Sequence, residues 1–257
     1  MLPSGVSAVE TFGDPWPLPA LLPEEARLTT RMTPDRRREF ATVRACARAA
    51  MGDLGLPPSP VLRGPRGEPR WAAGLVGSMT HCTGYRAAAV ARSADIASLG
   101  IDAETNAPLP QDGMLRIVST PEERRWLAPL TEQRPDIAWD RLLFSAKESV
   151  YKAWYPLTGR WLDFDEAVIT VHPDTRTFTA RLLVPGPLLG GVRRTTFHGH
   201  WRAAHGLIMT SIALPAGQKP FSTGSRIATH STWCVTRNRS TQNELRKSAG
   251  QQHRRRK

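Results

Sequence analysis

Two pairs of strand-like segments, each joined by a short turn, constrain the fold of this chain most. The segments AVITVH and TFTARLLV flank Pro173-Asp174-Thr175-Arg176, which is a strong hairpin signal. The segments FHGHWRAA and LIMTSIAL flank His205-Gly206, a weaker signal of the same kind. Hairpins bring antiparallel pairing, and the chain shows no long alternation of strands and helices. The sequence therefore predicts an α+β fold rather than a doubly wound parallel sheet.

A helix is predicted upstream, from Thr33-Pro34-Asp35 onward. These residues supply an N-cap hydroxyl, a proline at the first helical position and an acid in the first turn. The following segment, RRREFATVRACARAAMGDLG, carries apolar side chains at helical spacing. Gly52 and Gly55 mark its end.

Two further helices are predicted between the halves of the chain. Thr120 and Glu123 can form a capping box at the start of one. Asp140 is expected to cap the other, RLLFSAKESVYKAWYP, and Pro156 is expected to stop it. By contrast, the proline-rich residues 1–32 are expected to be irregular.

The formal charge of +12 is unevenly distributed. Residues 217–257 hold ten Lys or Arg and one acid, whereas residues 1–216 hold 25 bases and 22 acids. The tail lacks apolar periodicity, so we expect it to be disordered, either as a solvated tail or as a polyanion-binding arm. The body is close to neutral, which argues against a dedicated nucleic-acid-binding protein.

Other classes of protein are disfavoured by what the sequence lacks. Its three cysteines lie far apart without a CxxC pair, which disfavours a disulfide framework or a structural zinc site. No run of 18 apolar residues is present, so no membrane span is expected. The segment MLPSGVSAVETFGDPWP has neither the basic nor the apolar region of a signal peptide. We therefore expect a cytoplasmic protein.

Asp102 and Glu104 stand two residues apart in the segment GIDAE. Because side chains alternate along an extended segment, both carboxylates point to one face. Their mutual repulsion is relieved by a hard divalent cation, and Mg²⁺ prefers one or two carboxylates together with water and phosphate oxygens. The pair is therefore either a Mg²⁺ site or two solvated acids at a strand end.

Glu148 and Lys152 are four residues apart on a predicted helix, so they share a face. This spacing is typical of an ordinary surface ion pair, and Lys147 beside Glu148 is compatible with that interpretation. The helix is otherwise rich in large apolar side chains, which would leave little of it in solvent. The alternative is therefore a charged pair in a cleft.

A third cluster is the segment GSMTHCTGY from Gly77 to Tyr85. Its small, hydroxyl and imidazole groups are expected to form a tight turn that binds phosphate through backbone N–H groups, Ser78 and His81. Ser78 and His81 also raise the possibility of nucleophilic catalysis. However, there is no GxSxG motif, and a nucleophile so near its base in sequence is unusual.

Together and in this order, GSMTHCTGY (77–85), GIDAE (100–104) and FSAKESVYKAW (144–154) resemble the 4′-phosphopantetheinyl transferases. The resemblance is strongest to the long, two-lobed type that serves siderophore and other natural-product synthases, and it covers about residues 20–215. It implies Mg²⁺-dependent transfer of the 4′-phosphopantetheine arm from coenzyme A to a serine of an apo acyl or peptidyl carrier protein, with release of 3′,5′-ADP.

The resemblance also implies roles for individual residues. Asp102, Glu104 and Glu148 would bind Mg²⁺ with the pyrophosphate of coenzyme A. Glu148 would also help to deprotonate the acceptor serine, and Lys152 would stabilise or protonate the departing 3′,5′-ADP. The resemblance implies that seven residues contact the coenzyme. They are Arg37, Arg44, Arg48, Ser78, His81, Lys147 and Lys152.

The family's fold would be a pseudo-dimer of two similar α+β lobes, with the active site in the cleft between them. The expected division is an irregular N-terminus (1–19), an N-terminal lobe (20–96), a C-terminal lobe with the metal site (97–216) and the basic tail (217–257). Because both lobes belong to one chain, we expect a monomer.

Three alternatives remain open from the sequence. One is a relative that binds the coenzyme without catalysing transfer. Another is a polyanion-binding protein acting through its tail, although no RNP, zinc-finger or helix-turn-helix signature is present. The third is a zinc enzyme using His198, His200 and His205, for which no carboxylate or cysteine partner is evident.

Overall fold

The computed structural model describes residues 1–15, 18–110 and 113–217, together with the backbone of Cys234–Val235. The helices are α1 (Pro23–Ala26), α2 (Pro34–Asp53), α3 (Met114–Val118), α4 (Pro121–Gln133) and α5 (Trp139–Thr158). The strands are β1 (Val6–Phe12), β2 (Leu62–Arg63), β3 (Pro69–Arg70), β4 (Leu75–Cys82), β5 (Tyr85–Arg92), β6 (Ile96–Thr105), β7 (Ala167–His172), β8 (Thr177–Leu182), β9 (Leu188–Leu189), β10 (Val192–Arg193), β11 (Thr196–Ala204), β12 (Leu207–Pro215) and β13 (Cys234–Val235). The predicted α+β class is confirmed.

The first sheet has the strand order β13-β1-β5-β4, with β1 and β4 antiparallel to β5. Helix α2 packs on this sheet through a core of small and medium side chains. That core contains Val9, Cys46, Ala47, Ala50, Met51, Val61, Ala88 and Val90. The N-cap predicted at Thr33 is confirmed, since its hydroxyl accepts from the Arg36 N–H at 3.3 Å.

The expectation of an irregular N-terminus is wrong for Val6–Phe12, which forms β1. This strand pairs with β5 in register from Val6 opposite Ala91 to Phe12 opposite Tyr85. Its Glu10 is buried and accepts a hydrogen bond from the Tyr85 hydroxyl at 2.5 Å. The partner strand lies far along the chain, so no local pattern marks this pairing.

The tight turn expected over 77–85 is also wrong in its extent. Leu75–Cys82 is strand β4, and the turn is confined to Thr83-Gly84, where Gly84 has φ of +72°. Ser78 and His81 are therefore presented by an extended strand. They do not belong to a loop that wraps around an anion.

The second sheet has the order β6-β12-β11-β8-β7, and each neighbouring pair is antiparallel. Both predicted hairpins are confirmed. His205 and Gly206 have φ of +55° and +73°, as a type I′ turn requires at both central positions. Helix α5 covers one face of the sheet around a large buried core that includes Trp139, Trp154 and Phe178.

The helix starts in the second half are partly as predicted. The capping box of Thr120 and Glu123 is confirmed at the start of α4. Helix α5 begins at Trp139, so Asp140 lies inside its first turn, where its carboxylate accepts from the Leu109 N–H at 2.9 Å. Pro156 does not stop the helix, which runs to Thr158 and ends at Gly159 in a left-handed conformation. So near the helix end, the missing N–H of proline removes one bond without breaking the last turn.

The two sheets meet where β4 lies beside β6. The Ser78 hydroxyl accepts from the Ile101 N–H at 3.0 Å, and the Thr80 hydroxyl accepts from the Ala103 N–H at 3.0 Å. Strand β6 is at the edge of its sheet, so it has no neighbouring strand of that sheet on the side that faces β4. Hydroxyl groups of one lobe thus satisfy backbone donors of the other.

Gly100 allows α5 to lie directly on β6. A Cβ atom at this position would be 1.9 Å from the Ser149 carbonyl oxygen. Next to it, the Ser98 hydroxyl donates to the Ala153 carbonyl at 2.7 Å. This close approach holds the middle of α5 against the GIDAE segment.

The predicted disordered tail lies outside the described residues, apart from Gly217 and the backbone of Cys234–Val235. Within the described part of the chain, none of the helices has the length and hydrophobicity needed to cross a bilayer.

Candidate active site

A cavity of about 720 Å³ is lined by residues from both the first and the second half of the fold, between Arg36 and Gly159. One side is formed by α2, β4 and the segment around β2 and β3, and the other by β6 and α5. The residues predicted for the site that line its wall are Arg44, Ser78, His81, Glu148 and Lys152.

The carboxylates of GIDAE both face α5, as the strand period predicts. Lys152 Nζ donates to Asp102 Oδ1 at 2.7 Å and to the Ile101 carbonyl at 3.1 Å. Arg141 Nη1 donates to Glu104 Oε2 at 3.1 Å. One helix therefore supplies a cation to each carboxylate.

Glu148 lies close enough to this pair to interact with it electrostatically. Burial raises the pKa of Glu148, the Lys152 ammonium opposes that shift, and Asp102 and Glu104 reinforce it. Burial likewise raises the pKa of Glu104, followed by repulsion from Asp102, while Arg141 opposes both effects. The three carboxylates thus interact as one cluster of negative charge, of which only Glu148 lines the cavity wall itself.

The donor set of this cluster fits a hard divalent cation. Asp102 is 6% exposed, and its Oδ2 atom has no hydrogen-bond partner among the described residues. In the arrangement described, no three His, Cys, Asp or Glu side chains stand ready around a common metal position. Lys152 and Arg141 balance the charge instead. Carboxylate oxygens are ligands that Mg²⁺ prefers, and the buried Oδ2 atom of Asp102 is one that no described hydrogen-bond donor occupies.

The zinc alternative is not supported by the described residues. His198 and His200 lie on β11, whose exposed positions they occupy, and His205 lies in the turn after it. The His205 ring packs edge-on against Phe12, with centroids 5.9 Å apart. The three imidazoles do not form a metal-binding group within that part of the chain.

Arg44 is a buried cation on the cavity wall. Its Nε donates to the Val61 carbonyl at 2.9 Å, and its guanidinium lies 3.2 Å from the centre of the Phe40 ring. Burial lowers the pKa of Arg44 to about 10, although Glu25 opposes the shift. Its contacts hold the guanidinium in a fixed position at the cavity.

Three further arginines on the wall, Arg36, Arg63 and Arg66, were not singled out from the sequence. Arg36 belongs to helix α2, in which the resemblance implies its neighbour Arg37 as a coenzyme contact. Arg63 and Arg66 lie in a Pro/Gly-rich segment without periodicity, so no pattern distinguishes them. Their common feature, position on one cavity wall, exists only in the folded chain.

Arg37 and Arg48 do not lie on the cavity wall. Arg37 is exposed on α2. Arg48 donates to Glu25 Oε2 at 2.6 Å and to the Ala20 carbonyl at 2.7 Å. Their contact with the coenzyme stays a prediction, and for Arg48 it would require the guanidinium to leave the buried Glu25 carboxylate.

Lys147 is the clearest correction among the predicted coenzyme-binding residues. Its side chain is 3% exposed and forms an ion pair with Glu123 at 2.9 Å. It also donates to the carbonyls of Ala167, at 3.0 Å, and Phe164. One residue of helix rotates the side chain by about 100°, so Lys147 points into the core while Glu148 faces the cavity.

Ser78 and His81 are both at the cavity, as predicted, but in different settings. The Ser78 oxygen accepts from the Ile101 N–H, which leaves its O–H proton to be donated to a ligand. His81 is 40% exposed and contacts Arg36. Burial, and then the Arg36 charge, lower the pKa of His81. Both effects favour the neutral imidazole.

Comparison with known proteins places these residues in a family context. The model of the 4′-phosphopantetheinyl transferase N-terminal domain matches residues 24–91, and that of the 4′-phosphopantetheinyl transferase superfamily matches residues 98–217. The chain is similar to three proteins that are each named a 4′-phosphopantetheinyl transferase. Svp of Streptomyces mobaraensis is 62% identical over 84% of this chain and 89% of its own length. PptT of Mycobacterium tuberculosis is 48% identical (80% and 90%), and Npt of Nocardia iowensis is 47% identical (83% and 97%).

Proposed function

The chain belongs to the 4′-phosphopantetheinyl transferase superfamily, and from that premise we propose how its own residues carry out the reaction. It is an enzyme of the long type that transfers the phosphopantetheine arm of coenzyme A to carrier proteins. The observation that carries the proposal is the position of Glu148 and Lys152 on the cavity wall, beside Asp102.

We propose that coenzyme A occupies the cavity with its phosphates toward the part of the wall that carries Arg36, Arg44 and Arg63, which we call the basic wall. The volume of about 720 Å³ lies in the range of small-molecule sites. Arg36, Arg44 and Arg63 supply positive charge on the α2 side, and the hydroxyl of Ser78 and the ring of His81 supply further polar contacts. Arg44 is expected to meet the 3′-phosphate, because its buried guanidinium is already held in place.

Asp102, Glu104 and Glu148 would hold Mg²⁺ together with the pyrophosphate of the coenzyme. When bound, the metal would neutralise charge on the phosphate oxygens, which is the main requirement of phosphoryl transfer. The buried Oδ2 atom of Asp102, without a partner among the described residues, supports this assignment. Arg141 holds Glu104 through one oxygen and leaves the other available.

The proton and the leaving group are assigned to two residues of α5. The Glu148 carboxylate accepts the proton of the acceptor serine hydroxyl. The serine oxygen then forms a bond to the phosphorus that bears the pantetheine arm, and the bond from that phosphorus to the 3′,5′-ADP oxygen breaks. The Lys152 ammonium stabilises the negative charge that develops on this oxygen or protonates it. Its 2.7 Å contact with Asp102 supports this assignment.

We also propose that the two lobes form a pseudo-dimer, which a repeated local arrangement supports. Glu25 in α1 and Glu123 in α4 are both fully buried at the third helical position after a proline start. Each pairs with a base on the long helix that follows, Arg48 in α2 and Lys147 in α5. Each also accepts a backbone N–H from the segment beyond that helix.

The enzyme is further proposed to be a cytoplasmic monomer. Both cavity walls come from one chain, so no second copy is needed to complete the site. Cys46 and Cys82 carry free thiols, which suits a reducing compartment. Light scattering coupled to size exclusion measures the mass directly, and a stable trimer would contradict the monomer.

The reaction is tested by intact-mass analysis. The purified protein is incubated with coenzyme A, Mg²⁺ and several apo carrier proteins, including carriers from natural-product synthases. We expect a mass gain of one phosphopantetheine that disappears with chelator. Asp102→Ala and Glu148→Gln should remain folded and lose transfer, whereas Glu122→Gln, an exposed change on α4, should transfer normally.

Three outcomes have distinct meanings. Transfer at the wild-type rate by the folded Asp102 and Glu148 variants would refute the site assignment. Binding of coenzyme A without transfer to any carrier would support a binding relative. Loss of salt-sensitive polyanion binding after removal of the tail would indicate a second role for that segment.

A further inference from the structure

Glu39 is an acidic residue on the stretch of cavity wall that carries Arg36 and His81. Its Oε2 atom accepts from Arg36 Nη1 at 2.9 Å and lies 3.7 Å from His81 Nε2. Arg36 in turn contacts His81. One carboxylate oxygen therefore lies beside both of the groups that we expect to receive a phosphate. No role for Glu39 follows from the mechanism above.

The other oxygen of Glu39 is held by a buried arginine. Arg86 Nη2 donates to Glu39 Oε1 at 3.2 Å and to Asp14 Oδ2 at 3.1 Å. Its Nη1 donates to the carbonyls of Cys82 and Tyr85 at 2.5 and 2.8 Å. The Arg86 side chain is 6% exposed. Because these partners belong to the β4–β5 hairpin and the segment after β1, the position of the Glu39 carboxylate is set by the sheet of the first lobe.

The contact between Arg36 and His81 defines the state of the imidazole. A guanidinium can only donate, so this contact favours the tautomer in which Nε2 of His81 accepts and the ring proton is on Nδ1. Glu39 favours this arrangement because it accepts from the same Nη1 atom of Arg36 and so holds that atom beside the His81 ring. The Glu39 carboxylate thus orients the Arg36 guanidinium and favours one tautomer of the His81 ring.

We propose that Glu39, braced by Arg86, is a positioning residue that orients Arg36 and His81 to receive a phosphate group of coenzyme A. This inference rests on the proposed binding of the coenzyme in the cavity. A carboxylate near an anion site would by itself repel the ligand. Here Arg86 offsets much of that charge from behind, so the ordering of two phosphate-binding groups outweighs the remaining repulsion.

The test compares Glu39→Ala and Glu39→Gln with the wild-type protein by calorimetric titration with coenzyme A and by steady-state kinetics. We expect Glu39→Ala to bind the coenzyme about tenfold more weakly, which corresponds to about 1.4 kcal/mol. KM for the coenzyme should rise in parallel, while kcat changes less than about twofold. Glu39→Gln keeps one acceptor oxygen and should recover part of the affinity.

A double-mutant cycle with Arg36→Gln shows whether Glu39 acts through its neighbour. In the Arg36→Gln background, Glu39→Ala should cost less than about twofold in affinity. Ring ¹⁵N shifts of His81 should change in Glu39→Ala, because the preference for the Nδ1–H tautomer is weakened. Asp35→Asn is the matched control, since Asp35 is an exposed acid of the same helix that pairs with Arg38. It should bind the coenzyme normally.

Coenzyme binding by folded Glu39→Ala that equals or exceeds wild type would overturn the inference, because the carboxylate would then only repel the ligand. An undiminished effect in the Arg36→Gln background would overturn it as well. Should Glu39→Ala fail to fold, wild-type affinity in Glu39→Gln together with unchanged His81 shifts would have the same meaning. Failure of the wild-type protein to bind coenzyme A would instead refute the proposed function on which the inference rests.

Discussion

Replacing Lys147 by methionine is expected to lower stability strongly while leaving coenzyme binding intact. Lys147 and Glu123 form an ion pair whose side chains are 3% and 0% exposed. Methionine is similar in length and apolar, so it fills the space but leaves the Glu123 carboxylate without its cation. Burial lowers the pKa of Lys147 and the Glu123 charge opposes that shift, which indicates that the pair is retained against a desolvation cost.

The magnitude follows from what remains around Glu123. Removing one partner of a buried ion pair typically costs about 3–5 kcal/mol. Glu123 keeps the N–H groups of Ile169 and Thr120, each at 2.7 Å, and the Thr120 hydroxyl at 3.0 Å. These donors still stabilise its charge, so we expect the lower end, about 3 kcal/mol. For a chain of this size that is a decrease in Tm of roughly 6–12 °C.

The assay is urea unfolding followed by circular dichroism, with calorimetric titration of coenzyme A on the same samples. Lys152→Met is the matched comparison, five residues further along the same helix. Lys152 is 26% exposed and faces the cavity, so its loss should affect stability less. It should reduce kcat by about 10²-fold, the scale of losing one charge-stabilising group.

A second variant separates the ion pair from simple packing. Glu123→Gln combined with Lys147→Met removes both charges and should recover part of the lost stability, because no unpaired charge remains buried, while one of the two oxygens that accept backbone N–H groups is lost. If Lys147→Met keeps wild-type stability but weakens coenzyme binding tenfold or more, the structural role assigned to Lys147 is refuted.

Three further predictions concern the contact between α5 and β6, the His81 side chain on the cavity wall, and the basic tail. Gly100→Ala would place Cβ 1.9 Å from the Ser149 carbonyl, so both Tm and transfer rate should fall, whereas Gly52→Ala, with no atom within 4 Å, should not lower Tm. The pKa of His81 lies below its ordinary value of 6.5, so the unfolded chain binds more protons in acid. Wild-type protein should therefore lose stability relative to His81→Gln in urea unfolding as the pH falls from about 7 to 5. Deleting residues 218–257 should leave the transfer rate unchanged in the mass assay and reduce retention on heparin at low salt. A slower enzyme would contradict the assignment of catalysis to the body of the chain.

Local periodicity was enough to predict the acidic part of the site. Side chains of a strand alternate, so Asp102 and Glu104 had to share a face, and both are indeed met by cations from α5. Residues four apart on a helix are neighbours, which placed Glu148 and Lys152 together. The hairpin turns and the caps of α2 and α4 were likewise predictable, because each depends on residues adjacent in sequence.

Other features depend on partners that lie far apart in the chain. Strand β1 is recognisable only from its pairing with β5, more than seventy residues away. Arg36 and Arg63 reach the same cavity because β2 and β3 fold back beside α2. No local pattern reports that arrangement, so the sequence alone did not single out Arg36 and Arg63 as residues of the cavity wall.

The two lysines of α5 show what the sequence can predict and what only tertiary packing decides. The sequence motif marks both Lys147 and Lys152 and predicts the helix that carries them. Which of them faces the cavity depends on where β6 and the first lobe pack against that helix. Lys152 meets Asp102 across that contact, while Lys147 meets Glu123 on the opposite side. The chemistry of each residue is a property of its type, but its role depends on the neighbours that folding brings to it.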